Sequence, residues 1–356
     1  MILKTKQPSR HAEPFVKAQR LAYICWERPD LELVSDFLLS FGLSKSASVK
    51  DKLYFKGVDD RQFCYEVRKG SQPQFIEFGL EVCSIDDLKK LSELESASDI
   101  HPLNTPGGGY GVTLTDPAGH KVVAVCKQNS SPKKTAPPSP IKNSPGIANR
   151  INKTLRIPTE APPVEKLGHI VFEVSNFQQT CEWYTTIFGF IPSDVQVLPD
   201  GSPAVVFMRL NLGDTPADHH TLALAQGVKN QFSHCAFEVQ DEDAIGMGQT
   251  ILREKNFKHA WGIGRHILGS QIFDYWEDPW GVKHEHYCDG DLFTQELPMG
   301  IHELKKGAMA QWGAPMPSSF VRPKITIGLI KSLLRNLLVN DDFSLRKLVM
   351  LLQRIG

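Results

Sequence analysis

Residues 167–174 read LGHIVFEV and residues 232–239 read FSHCAFEV. Both are short apolar runs rich in β-branched and aromatic residues, the composition of a buried strand. Each places a glutamate four residues after a histidine, His169 with Glu173 and His234 with Glu238. A polar break and a helical pattern follow each run: SNFQQTCEWYTTI after the first, QDEDAIGMGQTIL after the second. Two stretches nearer the N-terminus share this layout, LAYICWERPDLELVSDFLLSFGL at 21–43 and FIEFGLEVCSIDDLKKL at 75–91. Late in each half a turn stands between strand-forming residues, TDPAGHKVVAV at 115–125 and EDPWGVKHEHY at 277–287. The simplest account is four copies of one strand–helix–strands unit, starting near 22, 76, 168 and 233 and paired into two domains. The fold class is then α+β.

Between the halves the composition changes. Residues 127–146 read KQNSSPKKTAPPSPIKNSPG, with few large apolar groups to offset the entropy of ordering. The expected organisation is a first domain over 18–127, a linker over 128–164 that is extended or disordered in its first half, and a second domain over 165–320. A tail follows over 321–356. There Ile330, Leu333, Leu334, Leu337 and Leu338 form one helical stripe, and Leu345, Leu348, Val349 and Leu352 form another after the capping residue Ser344. Lys331, Arg335, Arg346, Lys347 and Arg354 make the tail basic. Two helices packed on the body or on a neighbouring subunit are expected, with a membrane-surface helix as the weaker reading.

The chain has 356 residues, 40 basic and 40 acidic, so no global basic field argues for nucleic acid. Its seven cysteines are scattered and form no CxxC pair, which suits a reducing compartment and argues against a thiolate zinc site. The opening MILKTKQPSRHAEPF lacks the apolar core of a signal peptide, and no run reaches membrane-spanning length. A cytoplasmic enzyme or binding protein without stable membrane insertion is expected.

The triplet His284-Glu285-His286 is the richest metal-type motif in the chain. The turn at Asp278-Pro279-Trp280-Gly281 puts it on the outgoing strand of a hairpin. Neighbours on a strand point to opposite faces, so the triplet cannot close on one ion as consecutive residues. Comparison of the repeats separates its members. The second half holds His169, His234 and Glu285 where the first half holds Tyr23, Glu77 and Val123. A lone strand histidine is usually structural, but three metal-type residues at matched points of one half are a constellation. Two imidazoles and a carboxylate leave three adjacent positions open on octahedral Fe(II), and zinc can bind the same set. His284 and His286 are then expected to face outward, their replacement by Ala sparing the metal.

The second half resembles the type I extradiol ring-cleavage dioxygenases of the vicinal oxygen chelate superfamily, among them catechol 2,3-dioxygenase and 2,3-dihydroxybiphenyl 1,2-dioxygenase. The resemblance rests on LGHIVFEV, HHTLAL, FSHCAFEV, GIGRH, FDYWEDPWGVKHEHYCDGD and QWGAPMPSSF. It covers about 18–320, and the tail lies outside the family pattern. It implies four βαβββ modules paired into two open barrels, with the metal in the second. The implied iron ligands are His169, His234 and Glu285, with Fe(II), or Mn(II) in its place, as the ion. The implied acid/base histidine is His220, fourteen residues before His234, on the strand preceding it. Its neighbour His219 would then face the other way, as a surface residue or one behind the site. Tyr275, ten residues before Glu285, matches the family tyrosine, and His266 matches a histidine hydrogen-bonded near it. The partners implied are a catechol-type substrate and O2, with both oxygen atoms inserted and the ring opened in the meta position, in a homo-oligomer.

Glu173 and Glu238 either orient the imidazoles or form salt bridges at the barrel mouth, the second being the blander reading. Trp261 and Phe188 line a pocket or belong to the core. Two other functions stand beside the dioxygenase. One is a glyoxalase-like lyase or isomerase using another divalent metal, whose members lack the His220/Tyr275 pair. The other is a small-aromatic binding protein, whose members lose the ligands.

Overall fold

The computed structural model describes residues 5–133, 140–305, 307, 309–321, 326–340 and 342–355. The central part of the Pro/Ser-rich linker, 134–139, expected to be extended or disordered, lies outside these residues, as do 322–325 and 341 of the tail.

The first half runs β1 (Ala18–Arg28), α1 (Leu31–Ser40), β2 (Ser44–Val49), β3 (Lys52–Lys56), β4 (Tyr65–Lys69), β5 (Gln74–Val82), α2 (Ile85–Ser92), β6 (His101–Pro102), β7 (Tyr110–Thr115) and β8 (Lys121–Cys126). The second half runs β9 (Val164–Val174), α3 (Phe177–Ile187), β10 (Ile191–Val197), β11 (Pro203–Arg209), β12 (Ala217–Asp218), β13 (Leu222–Gln226), β14 (Gln231–Val239), α4 (Glu242–Glu254), β15 (Lys258–His266), β16 (Ile272–Glu277) and β17 (Lys283–Cys288). Short strands β18 (Leu292–Phe293), β19 (Gly300–Glu303) and β20 (Ala310–Gly313) follow, then α5 (Ser318–Val321), α6 (Ile327–Val339) and α7 (Leu345–Ile355). Apart from the added short strand β12, each half is βαβββ twice over.

The first sheet has the order β2-β3-β4-β1-β5-β8-β7-β6 and the second β19-β10-β11-β13-β9-β14-β17-β16-β15-β20. Within each module the first strand pairs in parallel with the last, and the two modules of a half meet through antiparallel first strands, β1 with β5 and β9 with β14. Helices α1, α2 and α4 are capped as their sequences direct. Asp30 accepts from the backbone N–H groups of Glu32 and Leu33, Ser84 and Asp87 form a capping box, and Asp241 accepts from Ala244.

One apolar core runs through both halves: Phe41 and Tyr65 of the first meet Phe237 of the second, Phe37 meets Phe257, and Phe75 stacks on Phe232. A fully buried ion pair, Arg28 Nη2 to Asp278 Oδ2 at 2.7 Å, crosses the same junction. This partner explains why Asp278 opens the Pro-Trp-Gly turn: its other oxygen accepts from the N–H groups of Trp280 and Val282.

The tail packs on the second half. Lys347 Nζ donates to Gln226 Oε1 at 2.7 Å, and Leu351 joins Leu198, Ala204 and Leu304 in a small cluster. No helix among the described residues is long and apolar enough to cross a membrane.

Candidate metal centre

Strand register assembles the site. Ala236 on β14 is the Cα partner of His169 on β9 and of Glu285 on β17, so these two side chains flank one point of the sheet. His234, two residues before Ala236, projects from the same face. The Nε2 atom of His169 lies 3.2 Å from Glu285 Oε2, and that of His234 lies 3.7 Å from the same oxygen. One ligand atom from each of the three lies within 4.8 Å of the others.

Glu285 is completely buried, yet neither carboxylate oxygen has a hydrogen bond of proper geometry, and His169 Nδ1 also lacks a partner. An ionised carboxylate out of water and without donors is costly unless a cation compensates it. Burial pushes the His234 imidazole down to about 3, so it is neutral with a lone pair available at neutral pH. An anionic oxygen and imidazole nitrogens converging in a dry pocket are what a divalent first-row ion requires. The residues present therefore fit the implied metal.

Beside them stand the other expected residues. Tyr275 on β16 is the Cα partner of Glu285 and is buried. His266 Nδ1 lies 2.9 Å from the carbonyl oxygen of Met309, which can only accept, so this nitrogen carries the proton and donates. Its Nε2 is then the acceptor for the Tyr275 hydroxyl, 3.0 Å away. Burial and the neighbouring Glu285 raise the Tyr275 pKa well above the ordinary value, keeping the phenol protonated. The His220 ring is 4.0 Å from that of His169, and its pKa is lowered well below the usual value by burial and then by the surrounding histidines. Trp261 stacks on Tyr275 and donates to the Ala314 carbonyl, while Phe320 closes on the same tyrosine at 4.9 Å. Phe188 is core, against Trp183.

Several expectations need correction. His284 and His286 do face away from Glu285, but not into solvent: both are fully buried against the first half. His284 lies 3.1 Å from the Tyr65 hydroxyl; His286 stacks on Phe41 at 3.7 Å and donates to its carbonyl oxygen. His219 takes the second of its two expected places, behind the site and not at the surface. It and His220 lie in the gap between β12 and β13, where strand alternation does not apply, and their Nδ1 atoms are 2.9 Å apart. Glu238 pairs with Lys166, the blander of its two expected roles, and Glu173 accepts from Gln231, so neither is seen to orient an imidazole. Sequence reasoning missed Asp194, whose carboxylate accepts from His219; the two are 25 residues apart and no local pattern links them.

Residues 166–285 match the model of the Glyoxalase/Bleomycin resistance protein/Dioxygenase superfamily. Metapyrocatechase 2 of Cupriavidus necator is 26% identical over 317 residues, covering 87% of this chain and 94% of that protein. An iron-dependent extradiol dioxygenase of Rhodococcus jostii is 26% identical over 155 residues, covering 41% of this chain and 50% of its own. The crystal structure of a Mn(II)-bound glyoxalase from Novosphingobium aromaticivorans superposes with a TM-score of 0.73 at 21% identity, covering 88% of this chain and 97% of that one.

Proposed function

We propose that this chain, a member of the glyoxalase/bleomycin resistance protein/dioxygenase superfamily, is an extradiol dioxygenase that inserts both atoms of O2 into a catechol-type substrate with meta ring cleavage. The ion is Fe(II), with Mn(II) as the alternative occupant, held by His169, His234 and Glu285. The observation that carries the reading is the buried, undonated Glu285 carboxylate facing the His169 and His234 imidazoles, with Tyr275 and His220 beside it. When bound there, the ion supplies a Lewis-acidic, redox-active centre with open positions for a chelating diol.

The chain's own residues handle protons and water. Tyr275 donates to His266, leaving its oxygen lone pairs to accept from a substrate hydroxyl. A proton lost by the diol can pass to the Tyr275 oxygen as the phenol hands its own to His266 Nε2. His220, neutral because it is buried, takes and returns a proton on the His169 side of the site. Trp261 and Phe320 form an apolar wall on Tyr275 that excludes water. The same reading makes the protein a cytoplasmic homo-oligomer that binds no nucleic acid, consistent with its balanced charge.

The test is direct. Fe(II)-loaded protein mixed with a panel of catechols in air should consume O2 and form a yellow ring-opened product. Failure of every catechol with iron demonstrably bound refutes the dioxygenase. His220→Phe should lower turnover by about 10²-fold or more while iron content stays near that of the wild type. Loss of iron in that variant would make His220 a ligand.

A further inference from the structure

Behind His220 a line of hydrogen bonds runs to the surface. His220 Nδ1 lies 2.9 Å from His219 Nδ1, His219 Nε2 lies 2.7 Å from Asp194 Oδ2, and Asp194 Oδ1 lies 2.7 Å from His302 Nε2. His219 is fully buried, whereas the His302 side chain is 43% exposed. The parallel pairing of β10 with β19 sets Asp194 opposite Gly300, two residues before His302, within reach of its ring.

The donors in this line are determined from one end. An ionised carboxylate only accepts, so His219 Nε2 carries a proton and donates it to Asp194. An imidazole with its single N–H at Nε2 presents Nδ1 as a lone pair. A lone pair facing His220 Nδ1 at 2.9 Å requires that nitrogen to be the donor. We infer that Asp194 and His219 are positioning residues that hold His220 in its Nδ1–H tautomer, leaving Nε2 as the base. A proton taken at Nε2 gives an imidazolium whose Nδ1–H still points at His219, backed by the Asp194 carboxylate. His302 satisfies the second Asp194 oxygen and ends the line at solvent.

The use of His220 in turnover rests on the dioxygenase reading; the tautomer does not. Long-range ¹H–¹⁵N correlation on metal-free, full-length protein with ¹⁵N-labelled histidine reads it directly. The expected spectrum shows His220 with a protonated Nδ1 and a pyridine-type Nε2. A protonated Nε2 in the wild type overturns the inference. In Asp194→Asn the line loses its anionic anchor, and the protonated-Nε2 form of His220 should appear. With iron content and KM little changed, kcat should fall about 10²-fold or more, as when a carboxylate behind a catalytic histidine is neutralised. An Asp194→Asn protein with unchanged tautomer and unchanged kcat also overturns it. If that variant does not fold, the wild-type spectrum decides. The predicted spectrum in a protein that cleaves no catechol would defeat the dioxygenase reading and leave this one standing.

A separate observation concerns the tail. On α6, Ile327, Ile330, Leu334 and Leu338 recur at helical spacing and are exposed, Leu338 at 84%; on α7, Leu345, Val349 and Leu352 are likewise exposed. The exposed cations Lys331, Arg335 and Arg346 flank these ridges, and neither helix contains an acidic residue. The opposite sides are already docked, through Asn336 on the Val228 carbonyl, Asn340 on that of Ser175, and Lys347 and Leu351 inside. We propose that the free ridges rest on an anionic lipid surface, the aliphatic side chains in the acyl boundary and the cations at the headgroups. A two-fold contact between copies through this face would set its cations against one another, which argues against self-association.

Co-sedimentation of the full-length protein should show binding to phosphatidylcholine vesicles containing phosphatidylglycerol, weakened by high salt and absent with phosphatidylcholine alone. The double variant Leu334→Asp/Leu338→Asp should bind about tenfold more weakly or worse. No binding to anionic vesicles, or equal binding by the variant, overturns the proposal. So does a wild-type oligomer that this variant dissociates in the absence of lipid, which would assign the face to a second copy.

Discussion

Where Ala236 lies between His169 and Glu285 in the second half, the first half has Gly79 between Tyr23 and Val123. The register is the same; the occupants are not. A Cβ on Gly79 would sit 2.4 Å from the Tyr23 ring, so the phenol fills the space that an imidazole leaves open over Ala236. Glu77 stands where the second half has His234, and its carboxylate accepts from Arg68 Nη2 at 2.7 Å. The same guanidinium donates to Glu66 at 2.8 Å. Cys25, Glu66 and Glu77 lie close enough together to resemble a metal site by distance alone. The difference is the source of positive charge. In the first half the chain provides it as Arg68; in the second no lysine or arginine among the described residues pairs with the buried Glu285 carboxylate, and the proposed site draws its cation from outside the chain. Distance between donor atoms does not separate the two sites, whereas the state of the carboxylate does.

The largest expected effect follows from that contrast. Metal analysis of purified protein should find one ion per chain, and Glu285→Ala should retain almost none, with activity down by about 10³-fold or more. Two ions per chain in the wild type would break the comparison, because the first half would then hold one as well.

Arg68→Ala sharpens it from the other side. Removing the guanidinium leaves Glu66 and Glu77 without their shared donor, for which losses of about 3–5 kcal/mol are typical of fully buried pairs. Since the Arg68 side chain is 32% exposed, water recovers part of this, and about 2 kcal/mol is expected in chemical denaturation. If charge source is the real distinction, the variant's thermal midpoint should then rise when a divalent metal is added, while the wild-type first half gives no such response.

The repeat pattern carried most of the architecture, because one strand–helix–strands unit recurs at matching points of the sequence and its last strands are marked by the DP-x-G turns. It also separated Glu285 from its two neighbours. Alternation, however, reports which face a side chain is on and not what covers that face. His284 and His286 are covered by Phe37, Phe41 and Tyr65, more than 200 residues earlier in the chain, and no local pattern announces such a partner. For His219 alternation could not choose between the surface and a place behind the site, because the residue lies in the gap between β12 and β13 and the carboxylate that orders it comes from β10, 25 residues earlier. Arg68 lies on a strand position matched to no ligand, so comparing ligand positions alone did not reveal it.

These buried histidines provide the smaller tests, because the first half has apolar residues at their places: Val122 for His284 and Ala124 for His286. His286→Ala makes the two halves alike there. It removes a ring stacked on Phe41 and leaves the Phe41 carbonyl without its donor. A loss of about 2–3 kcal/mol is expected from cavity and unpaired acceptor together, with iron content unchanged in the folded fraction.

His284→Val should cost less, about 1 kcal/mol, and the reason is the balance of two terms. Burial holds the His284 imidazole down at about 4, so it sits in the core as a neutral group, and burying its polar nitrogens is already a penalty that valine does not carry. Against that, valine leaves the Tyr65 hydroxyl, 3.1 Å from His284 Nε2, with no partner in a dry interface. Phe37, Phe41 and Phe237 surround the ring and can close partly on a smaller aliphatic group. If the loss instead matches that of His286→Ala, the Tyr65–His284 hydrogen bond is a principal tie between the halves. In that case Tyr65→Phe/His284→Val should recover most of the stability, since removing both partners leaves no orphaned group.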